Sequence, residues 1–388
     1  MKVLFLSSSF YPSTGGSAVF FSRIAHILIE SGHSVDVLVL KNQNGFQSFE
    51  EQKGMRIFRA PPIPSLLLPI FGPLMILYYW LRIGYKERYS RIIANNPDNI
   101  SISLNILAKL FRLPPIVYAI LGNFERERLE FLNSLPEIIR NSLHSLCKRT
   151  ASIALGITSR VITSSEVLPT IMSHGVPESY VSTDPYLGTI DLERFKYTSI
   201  EEPKENIVLF IGRLTYEMGT DVILSAIPQV LASVPDARFI FAGPGTPKNE
   251  WIEGLDNLIA EGTILFKGSV PNEKLPDEIS ASKIVLVVKR FGGGIGLTPL
   301  EALAMKRTLV QTRINPVIQA VADEHDCMLI VPVNDEESLA DGIVNLLNDD
   351  DLRSRLASNG YRFVQEYYNP VQYKKRFLRS LGFMERKK

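Results

Sequence analysis

Apolar residues along the chain fall into two alternating patterns. Short runs rich in β-branched residues alternate with longer stretches in which apolar positions repeat at helical spacing, and this alternation is typical of a parallel sheet with connecting helices. The strands predicted in the first half are Lys2–Leu6, Val35–Val39, Met55–Arg59, Arg91–Ala94, Pro115–Ile120 and Arg160–Thr163.

The same alternation starts again after a polar linker at Tyr197–Glu205. The strands predicted in this half are Asn206–Ile211, Arg238–Ala242, Thr263–Lys267, Ile284–Val288, Thr308–Gln311 and Met328–Val331. A stretch at Ser338–Glu366 is strongly helical, and another helix is predicted from about Pro370. Two open α/β sheets in one chain imply ligand binding at the carboxyl ends of their strands.

A chain of 388 residues suits two domains. We therefore predict an α/β protein with an N-terminal domain over residues 1–196 and a second domain over residues 197–366. The remaining residues, 367–388, are predicted to form a C-terminal helix that packs back on the N-terminal domain.

Composition narrows the possible functions. Hydrophobic residues make up 45% and charged residues 21% of the chain, which is ordinary for a globular protein. A net charge of +1 gives no electrostatic argument for a nucleic-acid partner. Cys147 and Cys327 lie far apart and the five histidines show no ligand spacing, so neither a disulfide framework nor a metal site is predicted. The acidic run Asp349–Asp351 fits the first turn of a helix.

The first ten residues, MKVLFLSSSF, carry one positive charge and a short apolar run that is typical of a strand. A secretory signal would have a longer apolar region and a small-residue cleavage site. The expected location is therefore the cytoplasm.

One apolar segment, Ser65–Gly84, has a single charge, Arg82, over nearly the length of a membrane span. Because Pro69, Gly72 and Pro73 interrupt the segment, a spanning helix is not predicted. A buried core helix and an interfacial helix remain as alternatives.

The C-terminal tail from Tyr373 to Lys388 is basic, with seven Lys and Arg residues against one acid, Glu385. Such a run suits a solvated helix face, or attraction to an anionic membrane surface. Together with Ser65–Gly84, the tail predicts possible peripheral contact with the cytoplasmic face of a membrane.

The segment with the most specific chemistry is Arg290–Met305, RFGGGIGLTPLEALAM, which follows an apolar strand and runs into a helix. Thr298, Pro299 and Glu301 fit an N-cap, a first-turn proline and a capping-box acid. The glycines before them let a ligand lie against bare backbone, and the helix N-terminus favours a phosphate. The alternative for Glu301 is that it only closes the capping box.

Two further glycine-containing loops follow predicted strands. Gly212–Gly219 places Arg213 where it can reach an anion, and its alternative is a surface salt bridge. Ser7–Gly16 ends in Gly15 and Gly16, which are expected to bring backbone close to the opposite domain. This glycine pair does not make the dinucleotide fingerprint G-x-G-x-x-G.

Together these segments resemble the retaining GT-B glycosyltransferases called group 1 or family 4. The resemblance covers nearly the whole chain, through FYPSTGG, VITSSE, GTIDLERF, FIGRLTYEMG, FAGPG and FGGGIGLTPLEALAM. It implies two Rossmann-like domains with parallel sheets facing across a cleft. It also implies transfer of a sugar from a nucleotide-sugar donor, held by the second domain, to a glycan, glycolipid or lipid-linked acceptor, held by the first. Retention of anomeric configuration and no obligatory metal or other cofactor are expected.

The resemblance also assigns roles to individual residues. Glu301 would accept hydrogen bonds from the donor ribose, and Arg213 would neutralise the departing diphosphate. The backbone at the start of the helix would cradle that diphosphate, through Gly294, Ile295, Gly296, Leu297 and Thr298. Gly16, after Gly15, would approach the donor phosphates from the first domain.

Three positions depart from the family pattern. Met218 stands where the family usually has Lys, Gly293 where it has the first acid of a Glu-x7-Glu pair, and Leu121 where it often has His. Lys289 and Arg290 lie just before the glycine run, and we hypothesise that Arg290 partly substitutes for the missing Lys.

Two other functions stay open, the first because of these departures and the second because the fold alone does not exclude it. The first is a catalytically degenerate GT-B protein that binds a nucleotide or a partner without turnover. The second is a sugar-phosphate isomerase of the epimerase type, which shares the GT-B build.

Overall fold

The chain folds into two compact units: Met1–Leu187 together with Lys374–Lys388, and Gly188–Tyr373. The computed structural model describes residues 1–7, 10–12, 16–40, 46–61, 68–95, 100–120, 137–163, 167–183, 190–198, 202–292 and 294–383. The sequence pattern places the domain boundary after residue 196, and the structure places it after Leu187.

The first unit is built on one sheet. Its strands are β1 (Lys2–Ser7), β2 (Ser34–Val39), β3 (Phe49–Gln52), β4 (Met55–Arg59), β5 (Arg91–Ala94), β6 (Ile116–Ile120), β7 (Arg160–Thr163) and β8 (Val181–Thr183). Their order is β3-β4-β2-β1-β5-β6-β7-β8, and every neighbouring pair is parallel except β3 and β4. The six strands predicted in this half are confirmed, each within one residue at either end.

Two strands at the edges of this sheet are absent from the sequence prediction. β3 has the sequence FEEQ, and its side chains alternate between exposed and half-buried. β8 has three residues, none of them buried. Edge strands that bury no face carry no apolar run, so the hydrophobic pattern does not mark them.

Helices connect these strands. They are α1 (Gly16–Glu30), α2 (Leu68–Tyr79), which continues into a π-helical turn (Trp80–Gly84), α3 (Ile100–Phe111), α4 (Glu137–Leu155) and α5 (Leu168–Ser173). The prediction that Pro69, Gly72 and Pro73 interrupt the apolar segment is wrong, because α2 begins at Leu68 and includes all three. Pro69 lies in the first turn, where a missing N–H breaks no helical hydrogen bond.

Helix α2 and the π-helical turn have two different faces. Ile76, Tyr79 and Trp80 are buried in the core of the first unit. On the other face, Leu74 and Tyr78 are exposed. The segment is therefore partly a core helix and partly an exposed apolar surface, which combines the two alternatives that the sequence leaves open.

A charged network lies at the start of the sheet in the first unit. The nearly fully buried carboxylate of Asp36 accepts two hydrogen bonds from Arg56, at 2.8 and 2.6 Å, and one from the Tyr89 hydroxyl at 2.5 Å. Arg56 also donates to Glu87 at 2.8 Å, and Lys2 pairs with the same carboxylate. A buried charge needs such partners, so the network allows Asp36 to lie inside the unit.

The chain end packs on the first unit. Phe377 contacts Phe20 edge-to-face, with ring centroids 6.1 Å apart. Arg160 donates to the carbonyl oxygens of Arg379 and Ser380 at 3.3 and 3.2 Å. These contacts fix the end of the last helix on the unit that begins the chain.

The second unit contains a parallel sheet of six strands. They are β9 (Ile207–Ile211), β10 (Arg238–Ala242), β11 (Ile264–Gly268), β12 (Ile284–Val287), β13 (Thr308–Thr312) and β14 (Leu329–Val331). Their order is β11-β10-β9-β12-β13-β14, and all neighbouring pairs are parallel. The six predicted strands are confirmed within one residue at either end. Because the order reverses between β9 and β12, the sheet has its topological switch point there.

The helices of the second unit are α6 (Thr220–Ser233), α7 (Asn249–Ile252), α8 (Asp256–Ala260), α9 (Leu275–Ala281), α10 (Leu297–Ala304), α11 (Pro316–His325), α12 (Glu336–Asn348) and α13 (Asp350–Tyr367), followed by α14 (Pro370–Ser380). The predicted helical stretch at Ser338–Glu366 is two helices, because Asp349 caps the second by accepting from Leu352 N at 2.8 Å. The acidic run beginning at Asp349 therefore opens a helix, as the sequence predicts.

Candidate functional site

Loops at the carboxyl ends of neighbouring strands in the second unit are held together by backbone hydrogen bonds. Gly243 N donates to the carbonyl oxygen of Gly268, the last residue of β11, at 2.8 Å. Gly212 N donates to the carbonyl oxygen of Ala242, the last residue of β10, at 3.1 Å, and Leu214 N donates to the Pro244 carbonyl oxygen at 2.9 Å, which joins the loops after β9 and β10. These contacts assemble one continuous edge of loops beside the switch point.

Two glycines make this assembly possible. A Cβ atom at Gly243 would lie 1.8 Å from the carbonyl oxygen of Gly212. At Gly219, where φ is +70°, a Cβ atom would lie 1.9 Å from the carbonyl oxygen of Val288. No side chain fits at either distance, so the Gly212–Gly219 loop lies directly against the backbone at the end of β12.

The glycine run after β12 leads into helix α10. The N-cap is Gly296, with φ at +90°, and no side chain caps the helix. The prediction that Thr298 is the N-cap is wrong, because Gly296 lets the chain turn into the helix before Thr298, which becomes its second residue. The first N–H groups of α10 therefore have no side-chain acceptor, and they form a donor set suited to an anion.

Glu301 lies in α10 and is 8% exposed. The alternative that it only closes a capping box is wrong, since the N-cap is a glycine and the N3 position is Pro299. Glu301 follows Leu297 by four residues, so both point from the same side of the helix. A carboxylate there can accept hydrogen bonds from a polar group near the helix start.

Two cations, Arg213 and Lys289, lie in loops at this edge of the sheet. Arg213, in the loop after β9, is exposed and forms no ion pair with a described residue. Lys289, in the loop after β12, places Nζ 3.7 Å from the position of a Cβ atom at Gly296. Burial lowers the pKa of Lys289, and the nearby charge of Arg213 lowers it further. Like charges that influence each other in this way repel, and a bound anion would relieve the repulsion.

Arg290 has different partners from its neighbour Lys289. It donates to both carboxylate oxygens of Asp221, at 2.8 and 2.7 Å, and to the carbonyl oxygen of Tyr216. Its guanidinium lies 3.6 Å from the centre of the Tyr216 ring. The side chain of Arg290 therefore joins the loop after β12 to the loop after β9 and to helix α6.

Met218 points into the protein. Its Cε lies 2.6 Å from the position of a Cβ atom at Gly212, and the side chain packs against the apolar core of the second unit. The side chain at position 218 therefore contributes to core packing and carries no positive charge.

A groove of about 500 Å³ lies beside the glycine run. Its lining includes Arg313, Ile314 and Asn315, at the start of α11. Asn315 Nδ2 donates to the Gly292 carbonyl oxygen at 3.0 Å, so this groove and the glycine run share a wall.

The sequence of the second unit matches a known protein family. Residues 192–363 match the family described as glycosyl transferases group 1. The second unit is a group 1 glycosyltransferase domain. The matched range includes every loop described above.

Relatives in other organisms resemble the chain over most of its length. An uncharacterised glycosyltransferase of Methanocaldococcus jannaschii is 22% identical over 95% of each chain. The GPI3 subunit of the phosphatidylinositol N-acetylglucosaminyltransferase of Saccharomyces cerevisiae is 23% identical, over 83% of this chain and 70% of the yeast subunit.

Solved structures show the same fold. Sucrose-phosphate synthase from Thermosynechococcus elongatus superposes with a TM-score of 0.76 at 18% identity, covering 98% of this chain and 99% of that one. Anabaena HepE in complex with UDP superposes with a TM-score of 0.71 at 17% identity, covering 99% and 100%. The fold is that of the GT-B glycosyltransferases, as the sequence predicts.

The glycosyltransferase domain brings several sequence-predicted residues to one edge of its sheet. Gly294, Ile295, Gly296, Leu297 and Thr298 form the end of the glycine run and the start of α10, and Glu301 follows in the same helix. Lys289 Nζ lies 3.7 Å from the position of a Cβ atom at Gly296, and the charge of Arg213 lowers the pKa of Lys289.

Other predicted residues lie elsewhere. Gly16 begins helix α1 in the first unit, and its predicted role stays a prediction. Gly15, Leu121 and Gly293 lie outside the described residues.

Two contacts in the glycosyltransferase domain are not predicted by the sequence. The contact of Gly243 with Gly212 is marked in the sequence only by FAGPG after a strand, which signals a tight loop but not its neighbour. The pairing of Arg290 with Asp221 has no sequence signal, since the two residues are 69 positions apart. Among the described residues, no group of three or more His, Cys, Asp or Glu side chains is arranged to hold a metal ion.

Proposed function

We propose that this protein transfers a sugar from a nucleotide-sugar to an acceptor hydroxyl, with retention of anomeric configuration. The observation that carries the proposal is the uncapped N-terminus of α10 next to Lys289, with Arg213, which forms no ion pair with a described residue, close enough to lower the pKa of Lys289 in a group 1 glycosyltransferase domain. Backbone N–H groups and a nearby cation are the donor set that a diphosphate requires.

The donor is bound through three kinds of contact. The N–H groups of Leu297 and Thr298 donate hydrogen bonds to the diphosphate oxygens, and the guanidinium of Arg213 neutralises their charge. Glu301 accepts hydrogen bonds from the ribose hydroxyls. The UDP bound by HepE, which shares the fold, supports a nucleoside diphosphate as the ligand.

In the reaction, the bond between the anomeric carbon and the diphosphate oxygen breaks, and its electron pair stays on the diphosphate. The acceptor oxygen bonds to the anomeric carbon on the face that the diphosphate leaves, and the hydroxyl proton passes to the departing phosphate oxygen. Negative charge therefore grows on the diphosphate in the transition state. The N–H groups of α10 are fixed before the reaction, and together with Arg213 they stabilise this charge more than that of the ground state.

We also propose that no metal ion is obligatory. A leaving diphosphate needs positive charge nearby, and Arg213 with the N-terminus of α10 supplies it. Turnover that persists in excess EDTA is the expected result, and turnover that stops until Mg²⁺ or Mn²⁺ is restored would contradict it.

The acceptor that we propose is a lipid-linked or glycolipid substrate at the cytoplasmic face of a membrane. Leu74, Tyr78, Leu81 and Tyr85 are each more than half exposed, and their spacing of four, three and four residues puts them on one helical stripe. Arg82 lies over the Tyr78 ring, 5.7 Å from its centre. Exposed aromatic and aliphatic side chains with a neighbouring cation suit the headgroup region of a bilayer.

A second observation supports a lipid acceptor. The yeast relative is named as an enzyme that acts on phosphatidylinositol. Among the described residues, no helix combines the length and the apolar character needed to cross a membrane. The exposed stripe is therefore the feature of the first unit that we assign to membrane contact.

Product analysis tests this function. The purified chain is incubated with UDP-, GDP- and ADP-sugars and a membrane lipid extract, and release of nucleoside diphosphate is measured with and without the lipid. Lipid-dependent release, with the anomeric configuration of the product matching the donor by NMR, is the expected result. An inverted product would contradict retention. Absence of release with every donor, while a nucleotide still binds, would instead favour a binding protein without turnover.

A matched control separates the chemistry from general effects of removing a charge. Arg213→Ala removes the proposed diphosphate contact. Arg238→Ala removes an exposed arginine at the opposite, amino end of the neighbouring strand β10, where its partner is Glu205 at 3.1 Å. Only Arg213→Ala is expected to reduce turnover, by roughly 100-fold or more.

A further inference from the structure

The loop that lacks the family lysine lies against the loop that carries Lys289. Met218 stands where the family usually has lysine. A Cβ atom at the next residue, Gly219, would lie 1.9 Å from the Val288 carbonyl oxygen. Arg290 N donates to the Glu217 carbonyl oxygen at 3.0 Å on the other side. Lys289 therefore lies between two residues that contact the backbone around position 218.

The ammonium of Lys289 points toward the proposed diphosphate site. Nζ lies 3.7 Å from the Cβ position at Gly296, the N-cap of α10. It makes no hydrogen bond or ion pair with any described residue. Burial, together with the charge of Arg213, lowers the pKa of Lys289, so an anion beside the ammonium would favour its charged form.

The backbone at Lys289 is anchored on both sides. The Thr312 hydroxyl donates to the Lys289 carbonyl oxygen at 2.5 Å. At the next residue, Arg290 N donates to the Glu217 carbonyl oxygen at 3.0 Å. Since these contacts hold the main chain, the ammonium is presented to the start of α10 without loss of backbone entropy on binding.

Arg290, the residue that the sequence favours for this role, is less suitable. Its two terminal nitrogens are held by Asp221 and the Tyr216 carbonyl oxygen, and the side chain is only 10% exposed. To reach a phosphate it would have to break a bidentate ion pair, whereas Lys289 breaks none.

We propose that Lys289 supplies the second cation for the donor diphosphate, replacing the lysine that the family places at position 218. This inference rests on the proposed function and adds a residue to its donor site. The cation comes from the loop after β12 instead of the loop after β9, and it reaches the same helix N-terminus.

Calorimetric titration tests the proposal. The wild-type chain is titrated with UDP, GDP and ADP, and the diphosphate that binds most tightly is then compared with its nucleoside. Lys289→Met is expected to weaken diphosphate binding by roughly 10- to 100-fold and to leave nucleoside binding unchanged, because only the phosphates meet the ammonium. Lys283→Met is the matched control, since Lys283 precedes the same strand and donates to Asn206 at the opposite end of the sheet.

A double variant tests whether the two positions are equivalent. Met218→Lys is introduced into Lys289→Met, and folding is checked by thermal denaturation. Recovery of at least part of the diphosphate affinity is expected. No recovery in the folded double variant would contradict the replacement.

Other outcomes overturn the proposal in different ways. Unchanged diphosphate binding in Lys289→Met would remove Lys289 from the site and leave the proposed function standing. Equal weakening of diphosphate and nucleoside would show that Lys289 acts only on local structure. If the wild-type chain binds none of the three diphosphates, the proposed donor site itself is wrong, and the inference falls with it.

Discussion

Arg290 donates from two nitrogens to the two carboxylate oxygens of Asp221, at 2.8 and 2.7 Å. This pair joins residues 69 positions apart, and it ties the glycine run after β12 to the start of α6. Both side chains are mostly shielded from solvent, so the pair is less screened than a surface ion pair. The two loops at the switch point are therefore held as one rigid group before any ligand binds.

We expect Asp221→Ala to loosen this group. The partly buried Arg290 guanidinium would lose its bidentate partner. The free energy of unfolding should therefore fall by about 1–3 kcal/mol. Urea denaturation followed by circular dichroism measures the change. Glu205→Ala is the control, because its partner Arg238 is 48% exposed, and it should change stability by less than about 0.5 kcal/mol. Equal effects of the two variants would show that the Asp221–Arg290 pair contributes nothing specific.

We expect Gly219→Ala to be far more damaging than Gly254→Ala. Both glycines have positive φ, +70° and +79°, so both substitutions carry similar backbone strain. At Gly219 the new methyl carbon would also lie 1.9 Å from the Val288 carbonyl oxygen. At Gly254 no atom lies within 4 Å of the position of the new methyl carbon. Gly219→Ala should therefore cost about 2 kcal/mol or more beyond the control. Similar denaturation midpoints for the two variants would contradict the close approach of the two loops.

Much of the fold is predictable because the parallel strands of both sheets are buried. A run such as Ile284–Val287 is apolar at every position, so it stands out in the sequence. The short edge strands β3 and β8 bury little and carry no such run. The pattern therefore identifies the centre of each sheet and misses its margins.

The candidate site is only partly predictable, for two physical reasons. The helix start depends on a backbone angle, and Gly296 at φ +90° begins α10 without the side-chain cap that Thr298 suggests. The choice between Lys289 and Arg290 depends on Asp221, which is distant in sequence and near in space. Local spacing identifies which residues carry the chemistry, but tertiary contacts decide which of them are already engaged.

We expect the first unit to lose stability in acid through Glu87. Hydrogen bonds from Lys2, then from Arg56, hold the pKa of Glu87 below its usual value of 4.5. In the unfolded chain the carboxyl group returns to its usual pKa, so the folded state is stabilised above that pH. This stabilisation is lost as the pH falls through the lowered pKa of the folded state.

Glu87→Gln tests this directly. The variant should be less stable than the wild type by about 1 kcal/mol at pH 7, and the difference should shrink as the pH falls below 4.5. Urea denaturation across that pH range gives the comparison. A stability difference that does not change with pH would show that the ionised form of Glu87 makes no contribution.

We expect the exposed stripe on the first unit to bind anionic vesicles. Leu81→Ser combined with Tyr85→Ser removes two apolar side chains that are 54% and 65% exposed. Binding to vesicles of phosphatidylcholine and phosphatidylglycerol, measured by sedimentation, should weaken by about tenfold or more. Tyr180→Ser is the control, because Tyr180 is 50% exposed and lies just before β8, away from the stripe in sequence. Equal binding of the double variant and the wild type would remove the stripe from the proposed membrane contact.

The most direct test of the central claim is calorimetric titration of the wild-type chain, Arg213→Ala and Glu301→Gln with UDP, GDP and ADP, and with the nucleoside of whichever binds. We expect one diphosphate to bind the wild type. Arg213→Ala should weaken diphosphate binding by roughly 10-fold or more and leave nucleoside binding unchanged, and Glu301→Gln should weaken the binding of both. Equally strong diphosphate binding in all three proteins would show that the ligand lies away from the start of α10, and the proposed donor site would be wrong.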